Sequence, residues 1–171
     1  MKCILKIPPS EYSALHYHLL PPGGWREEAA FLMVRCERAG DAATFEFMEA
    51  IKLRPDEFQT QEGDYIELSD ATRARIIKQA HDLDACLVEI HCHPGPYRAA
   101  FSEADWHGLR ETVPHMFWRL HNRPYLAVVV AESGFDALVW IDDPTVPHRL
   151  HGILVGDALL QPTNLSREPI R

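Results

Sequence analysis

The alternation of apolar and polar residues along the chain predicts a sheet-rich fold. Strands are indicated where apolar residues alternate with polar ones or run continuously between turn signals. Prolines and glycines mark several of the boundaries between these runs. The predicted strands are Lys2–Ile7, Ala29–Arg35, Ala43–Leu53, Tyr65–Leu68, Ala85–His91, Tyr125–Val130, Phe135–Ile141 and Leu150–Val155, the last of which is expected to close the sheet.

Three helices are predicted between the strands, each from an N-cap signal followed by apolar residues at helical spacing. Pro114 lies inside the third helix, and we expect two shorter pieces there because proline lacks the N–H donor of a helix interior. The polar segment 55–63 is predicted as loop. The predicted helices run from Ser10 to about Leu20, from Ser69 or Asp70 to about Leu83, and from Ser102 to about Leu120.

This order of elements predicts one α/β domain, a curved mixed sheet with helices on its faces. The length of 171 residues and the 46% hydrophobic content suit a single domain with its own core. We predict that the domain spans residues 1–160. The polar, proline-containing residues 161–171 are expected to form a loosely held C-terminal tail.

The composition limits the expected cell compartment and the classes of binding partner. The four cysteines contain no CxxC pair, which is typical of reduced, buried thiols in a cytosolic protein. No apolar run approaches the length of a membrane span, and the N-terminal apolar stretch is too short for a signal peptide. The formal net charge of −8 disfavours binding to nucleic acid or to an anionic membrane. We therefore predict a cytoplasmic protein without either partner, and no feature of the sequence indicates an oligomeric state.

Candidate chemistry is concentrated after the fifth predicted strand. Side chains two apart on a strand share a face, so His91 and His93 project together and Cys92 points away. Ser102 is a candidate N-cap, which places Asp105 in the first helical turn, where a turn through residues 94–101 could return it to the histidines. Two imidazoles and one carboxylate, with a fourth position left to water, are a ligand set of catalytic zinc.

Two structural interpretations of the same residues remain open. Ser102 and Asp105 could form only a helix cap that complements the helix dipole. His91 and His93 could be half-exposed residues at a strand end. Capping and metal binding are also compatible, since Ser102 can cap the helix while Asp105 binds a metal.

The order of these residues resembles the signature of the JAMM (JAB/MPN+) zinc metalloproteases. That signature combines an upstream glutamate, a His-x-His-Pro run and a Ser-x-x-Asp run. Two departures are visible: Cys92 replaces the usual Ser or Thr, and the gap before the serine is one residue longer than in the commonest pattern. The resemblance covers the region from about Cys3 to Val155. The matching residues are Glu27, His91, His93, Pro94, Ser102 and Asp105.

The resemblance implies a bacterial-type JAB/MPN domain with cytidine-deaminase-like layering. It implies Zn²⁺ held by His91, His93 and Asp105, with Ser102 steadying the oxyanion of the tetrahedral intermediate. The general base would be Glu27, because the family pattern of a glutamate three residues before a small apolar residue fits Glu27 better than Glu28. These two glutamates point in opposite directions if the chain is extended.

The activity implied is that of a zinc-dependent isopeptidase or peptidase acting at the C-terminal tail of a ubiquitin-like protein. It would remove conjugates or process precursors. Two alternatives remain: a JAMM-type hydrolase of a small molecule or sulfur-carrier adduct, and a non-catalytic MPN-type interaction domain. The intact ligand set disfavours the interaction domain, because such domains typically lose their metal ligands.

Other polar residues near the motif have simpler interpretations. Glu89 shares the predicted face of His91 and either supports a histidine or faces solvent. Cys92 is expected to be a small buried side chain rather than a ligand. His107 is expected at the surface. His16 and His18 lie on a predicted helix, where residues two apart do not share a face, so they are not expected to chelate together.

Overall fold

The apolar run that begins at Ala29 forms the central strand of the sheet. The computed structural model describes residues 1–169 of the chain. In that part of the chain, the helices are α1 (Pro9–Leu19), α2 (Asp70–Asp82) and α3 (Glu103–Arg119). The strands are β1 (Lys2–Ile7), β2 (Ala29–Ala39), β3 (Ala42–Lys52), β4 (Phe58–Gln61), β5 (Ile66–Leu68), β6 (Cys86–Cys92), β7 (Tyr125–Ala131), β8 (Gly134–Trp140), β9 (His148–Arg149), β10 (Gly152–Val155) and β11 (Ala158–Leu160).

The main sheet is mixed. Within residues 1–169 its strand order is β11-β10-β1-β3-β2-β6-β7-β8-β9. Strand β1 runs parallel to β3 and β10, and β6 runs parallel to β7, whereas the other neighbours are antiparallel. Strands β4 and β5 form a separate two-stranded sheet. The predicted fold class is thus confirmed: one α/β domain with a curved mixed sheet.

Helices cover both faces of the sheet and divide the core in two. On one face, Leu15 and Leu19 of α1 pack on inward residues of β1, β2, β3 and β6. On the other face, α2 and α3 pack on the alternate residues of β2, β6 and β7. This arrangement follows from strand periodicity, because successive side chains of a doubly covered strand enter different cores. No helix within residues 1–169 is long and apolar enough to cross a membrane.

The predicted interruption at Pro114 is wrong, since α3 continues through this residue to Arg119. A proline inside a helix costs about 3 kcal/mol. Met116 and Phe117, which lie beyond it, are buried in the same apolar cluster as Leu109 and Val113. Burial of each such side chain contributes about 1.5–3 kcal/mol, so packing of the last turns offsets the missing hydrogen bond.

Three local boundaries also differ from expectation. Helix α1 begins at Pro9, with Pro8 rather than Ser10 as its N-cap, because proline suits a first helical position. The predicted loop 55–63 contains a 3₁₀ turn and strand β4, whose pairing with β5 gives no signal in the sequence. The C-terminal edge strand is β11, which pairs with β10, so Leu150–Val155 does not close the sheet.

The segment predicted as a loosely held tail is hydrogen-bonded to the domain over residues 163–168. Ser166 is buried, its Oγ accepts from the backbone N–H of Phe101 at 2.8 Å, and its N–H donates to Asp136 at 2.9 Å. Glu168 forms an ion pair with Arg110 at 3.2 Å. Residues 170 and 171 of the predicted tail lie outside the described residues.

Candidate metal centre

Strand β6 directs two imidazoles to the face covered by α2 and α3. His91 is paired with Ala29 of β2 on one side and with Val129 of β7 on the other. His93 follows the strand end, where its N–H donates to the carbonyl of Val130 at 2.8 Å. The Nε2 atoms of His91 and His93 are 3.2 Å apart. The shared face predicted from strand periodicity is present.

Helix α3 brings a carboxylate to the same point. Ser102 is its N-cap: the Ser102 Oγ accepts from the Asp105 N–H at 3.1 Å, and Asp105 Oδ2 accepts from the Ser102 N–H at 2.7 Å. Asp105 Oδ1 lies 3.3 Å from His91 Nε2, and Oδ2 lies 3.2 Å from His93 Nε2. Asp105 therefore caps the helix and also faces the two histidines, so helix capping and metal binding are compatible, as expected from the sequence.

The donor atoms of this group are spaced as metal ligands. Within residues 1–169, His91, His93 and Asp105 are the group of three whose ligand atoms all lie within 4.8 Å of one another. Four ligands at about 2.0–2.1 Å in a tetrahedron stand about 3.3 Å apart. The Nε2 atoms of His91 and His93, 3.2 Å apart, fit two ligands of such a tetrahedron, and Asp105 approaches each histidine with a different oxygen, at 3.3 Å and 3.2 Å. The group could hold a metal ion.

The pKa shifts of Asp105 and His91 are also compatible with the binding of a cation. Burial by itself would raise the pKa of Asp105, but hydrogen bonds from His91 and His93 hold that pKa far below its ordinary value. Burial would lower the pKa of His91, but the hydrogen bond and charge of Asp105, with the charges of Glu27 and Glu89, raise it above its ordinary 6.5. The two histidines thus face an ionised carboxylate, and a metal ion would take the place of a proton on the imidazole.

Glu27 lies beside the group at the entry to β2. Its side chain is only 4% exposed, and its Oε1 is 3.7 Å from His93 Nε2. The backbone is held in place, because its N–H donates to the Glu62 carbonyl at 2.8 Å and its carbonyl accepts from Gln61 Nε2 at 2.9 Å. Burial raises the pKa of Glu27, and His91 opposes that rise. A carboxyl group with a raised pKa beside a metal site is suited to proton transfer.

Glu28 points away from the group, as expected for neighbours in an extended segment. Its Oε1 accepts from Arg26 Nε at 3.3 Å, and its Oε2 accepts from Gln61 Nε2 at 2.9 Å. Gln61 thereby connects Glu28 to the backbone of Glu27. The contacts of Glu28 are therefore structural: they hold the segment that carries Glu27.

Cys92 lies in the opposite core and is fully buried. Its Sγ accepts from the Glu28 N–H at 3.2 Å. Burial raises the pKa of the thiol to about 11, so the uncharged thiol is the stable form at neutral pH. This placement agrees with the prediction that Cys92 is a buried side chain rather than a ligand.

The remaining histidines singled out by the sequence are elsewhere. His16 is exposed, and His18 makes a hydrogen bond with the Ala29 carbonyl at 2.9 Å. His107 is an exposed residue of α3, with its Nε2 3.6 Å from Glu111. None of these three histidines belongs to the candidate metal group among the described residues.

A cavity of about 370 Å³ extends from the metal group between the sheet, α3 and β5. Glu27, His91 and Asp105 form part of its wall. Sequence reasoning missed the contribution of Tyr125, whose hydroxyl donates to Glu89 inside this cavity. Glu89 was the available signal, because it is a carboxylate within an otherwise apolar strand.

Comparison with known proteins leaves the family of this chain open. No family model matches the sequence, and no curated protein matches it.

Proposed function

We propose that this protein is a zinc metalloprotease of the JAMM type, an isopeptidase that cleaves at the C-terminal tail of a ubiquitin-like protein. The observation that carries the proposal is the convergence of His91, His93 and Asp105, with ligand atoms within 4.8 Å of one another and Glu27 beside them. Two imidazoles and one carboxylate leave one position open, which is the arrangement of a catalytic rather than a structural zinc.

Each residue has a role that its position supports. Zinc in such a site acts as a Lewis acid that lowers the pKa of water to about 7 and polarises a carbonyl. Glu27, buried and 3.7 Å from His93, takes a proton from the attacking water and passes it to the leaving amine. Ser102 accepts a hydrogen bond from Asp105, which leaves its own hydroxyl hydrogen free to donate to a developing oxyanion.

An extended tail is the substrate that this site accommodates best. Strand β6 lies between β2 and β7, so a peptide cannot pair with it directly. Within residues 1–169, β5 pairs with β4 on one side only, and its residues 66–68 line the cavity beside the metal group. A flexible tail added to the free edge of β5 would run past the ligands, held by main-chain hydrogen bonds.

The proposal is tested in two measurements on the purified protein. Elemental analysis without added metal should find close to one zinc per chain, and His93→Ala should lose it. A panel of ubiquitin-like proteins fused through their tails to a reporter should be cleaved by the zinc-loaded protein. Full zinc retention by His93→Ala would contradict the metal site. Turnover of small amides or thio adducts, with none of the fusions cleaved, would favour the small-molecule hydrolase instead.

A further inference from the structure

The cavity beside the metal centre has the size and walls of a side-chain pocket. Its volume of about 370 Å³ lies at the lower end of the range for small ligand sites, about 300–1,000 Å³. Away from the metal group its walls come largely from β2, β5 and α3 and combine apolar with charged residues. The apolar residues of these walls include Phe31, Leu68, Leu109 and Met116. A long aliphatic chain would displace water from these walls at little cost.

Away from the metal group, Glu89 is the least exposed carboxyl group of the lining. Glu89 lies on the same face of β6 as His91, two residues earlier, which is about 7 Å along the strand. Tyr125, which is 1% exposed, donates its hydroxyl hydrogen to Glu89 Oε2. Within residues 1–169 no hydrogen bond reaches Oε1, yet this oxygen is not sealed from solvent. A fixed acceptor therefore faces the cavity about 7 Å from His91 along β6, a distance that one long side chain can span.

The charges around the cavity select the sign of its occupant. Asp64, Glu67 and Glu111 stand at the exposed rim. Arg73 is the arginine of the lining; it lies 3.9 Å from Asp70, and its charge also acts on Glu89. An anionic occupant would meet this acidic rim and Glu89. A neutral aliphatic chain would leave the buried acceptor without a partner, which is costly.

We propose that this cavity binds an arginine or lysine side chain of the substrate next to the scissile bond, with Glu89 as the specificity-determining residue. The aliphatic stem lies on Phe31, Leu109 and Met116, and the cationic end meets Glu89 Oε1. This inference rests on the proposed peptidase function, because only that function makes the bound side chain part of a substrate. The binding preference itself rests only on the cavity.

A ligand that cannot coordinate zinc tests the preference without any turnover. n-Pentylguanidine stays protonated and offers no lone pair to a metal, unlike an alkylamine. Isothermal titration of the zinc-loaded protein should show saturable binding of n-pentylguanidine and much weaker binding of neutral n-hexanol. Glu89→Gln should weaken guanidine binding about 10- to 100-fold, the loss expected for a hydrogen bond to a charged group. Glu132→Gln makes the same change of charge on an exposed turn and should bind as wild type.

A second variant fills the cavity and leaves its charged residues unchanged. Gly108 lines the cavity from α3, and a Cβ added there meets open space. Gly108→Leu should fold well, because leucine favours a helix over glycine by nearly 1 kcal/mol. It should abolish guanidine binding by filling the space, and Gly108→Ala should weaken binding far less.

The outcomes separate this inference from the proposed function. Absence of guanidine binding to wild type, equal binding of the neutral alcohol, or wild-type affinity in Glu89→Gln or Gly108→Leu would each overturn the inference. If the fusions are cleaved but the guanidine does not bind, only the pocket is misassigned. If the guanidine binds as expected but no fusion is cleaved, the pocket stands and the proposed function fails.

Discussion

At the scale of single residues, one step along an extended chain separates a catalytic candidate from a structural residue. Glu27 turns into the metal face and Glu28 turns into a network with Arg26 and Gln61. The two carboxyl groups are adjacent in sequence, but Glu27 is buried beside the histidines and Glu28 is only partly buried, so their chemistry differs through direction and burial.

Glu27→Gln should keep zinc bound and reduce turnover by about 10²–10⁴-fold, because it preserves the shape and removes the proton acceptor. Glu28→Gln is the matched control, since it removes a neighbouring carboxylate that faces away, and its turnover should stay near wild type. Zinc content and the kcat of a cleaved fusion are measured for both. A large loss in Glu28→Gln with an active Glu27→Gln would show that the register at the entry to β2 is assigned to the wrong glutamate.

Zinc affinity should weaken as pH falls through the raised pKa of His91. Protons and zinc compete for the imidazole. Burial lowers the pKa of His91, but Asp105, Glu27 and Glu89 together raise it above 6.5. Zinc affinity is therefore full above this pKa and is lost below it. The loss begins at a higher pH than it would for a histidine with an ordinary pKa. Chelator competition across pH measures the onset. Glu27→Gln should move the onset to lower pH, because the Glu27 charge also raises the His91 pKa. An unmoved onset would contradict this coupling.

At the scale of elements, the N-terminus of α3 combines a helix cap with a candidate metal ligand. Ser102 and Asp105 satisfy each other's backbone donors, and this bonding fixes the carboxylate that faces the histidines. A second helix offers an internal comparison. Ser69 caps α2 in the same way, with its Oγ accepting from the Thr72 N–H at 3.2 Å, but it does not join the metal group.

Ser102→Ala and Ser69→Ala should each destabilise the protein by about 1 kcal/mol, the typical value of a lost N-cap. Only Ser102→Ala should lower kcat, by roughly 10²–10³-fold, if its hydroxyl also donates to the oxyanion. Urea unfolding and turnover of the same preparations separate the two effects. Equal kcat in both variants would leave Ser102 as a cap alone.

The elements that were predictable from sequence are those specified by short-range rules. The shared face of His91 and His93 follows from the two-residue period of a strand, and the cap at Ser102 follows from residues three apart. The continuity of α3 through Pro114 was not predictable, because it depends on burial of Met116 and Phe117 against distant strands. Strand β4 was missed for the same reason, since its polar residues acquire their structure by pairing with β5.

The candidate site shows the same division. Spacing on β6 places two ligands, but no local rule determines where the chain returns after residues 94–101. The assignment of Asp105 combined its place at a predicted helix start with the resemblance to the JAMM signature, and the structure places its oxygens 3.2–3.3 Å from the histidines. Tyr125 was beyond sequence reasoning, because its partner Glu89 lies 36 residues away on a neighbouring strand.

At the scale of the whole molecule, the C-terminal segment secures the loop between the metal ligands. Asp136 is fully buried, and its carboxylate accepts from the N–H groups of Asn164 and Ser166 and from Arg149. Ser166 in turn accepts from Phe101, at the end of the loop that joins His93 to α3. The hydroxyl of Thr163 donates to the Ala99 carbonyl of the same loop. The geometry of the metal group therefore depends on a segment more than fifty residues further along the chain.

Ser166→Ala should destabilise the protein by about 1–3 kcal/mol, because it leaves the Phe101 N–H without its partner in a buried position. It should also weaken zinc binding by roughly tenfold, since ordering even one loosened loop residue around the metal costs about 1–2 kcal/mol. Urea unfolding and chelator competition measure these two effects. Ser133→Ala, in the exposed turn between β7 and β8, is the control and should change neither. A destabilised Ser166→Ala with unchanged zinc affinity would show that the segment supports the fold without positioning the ligands.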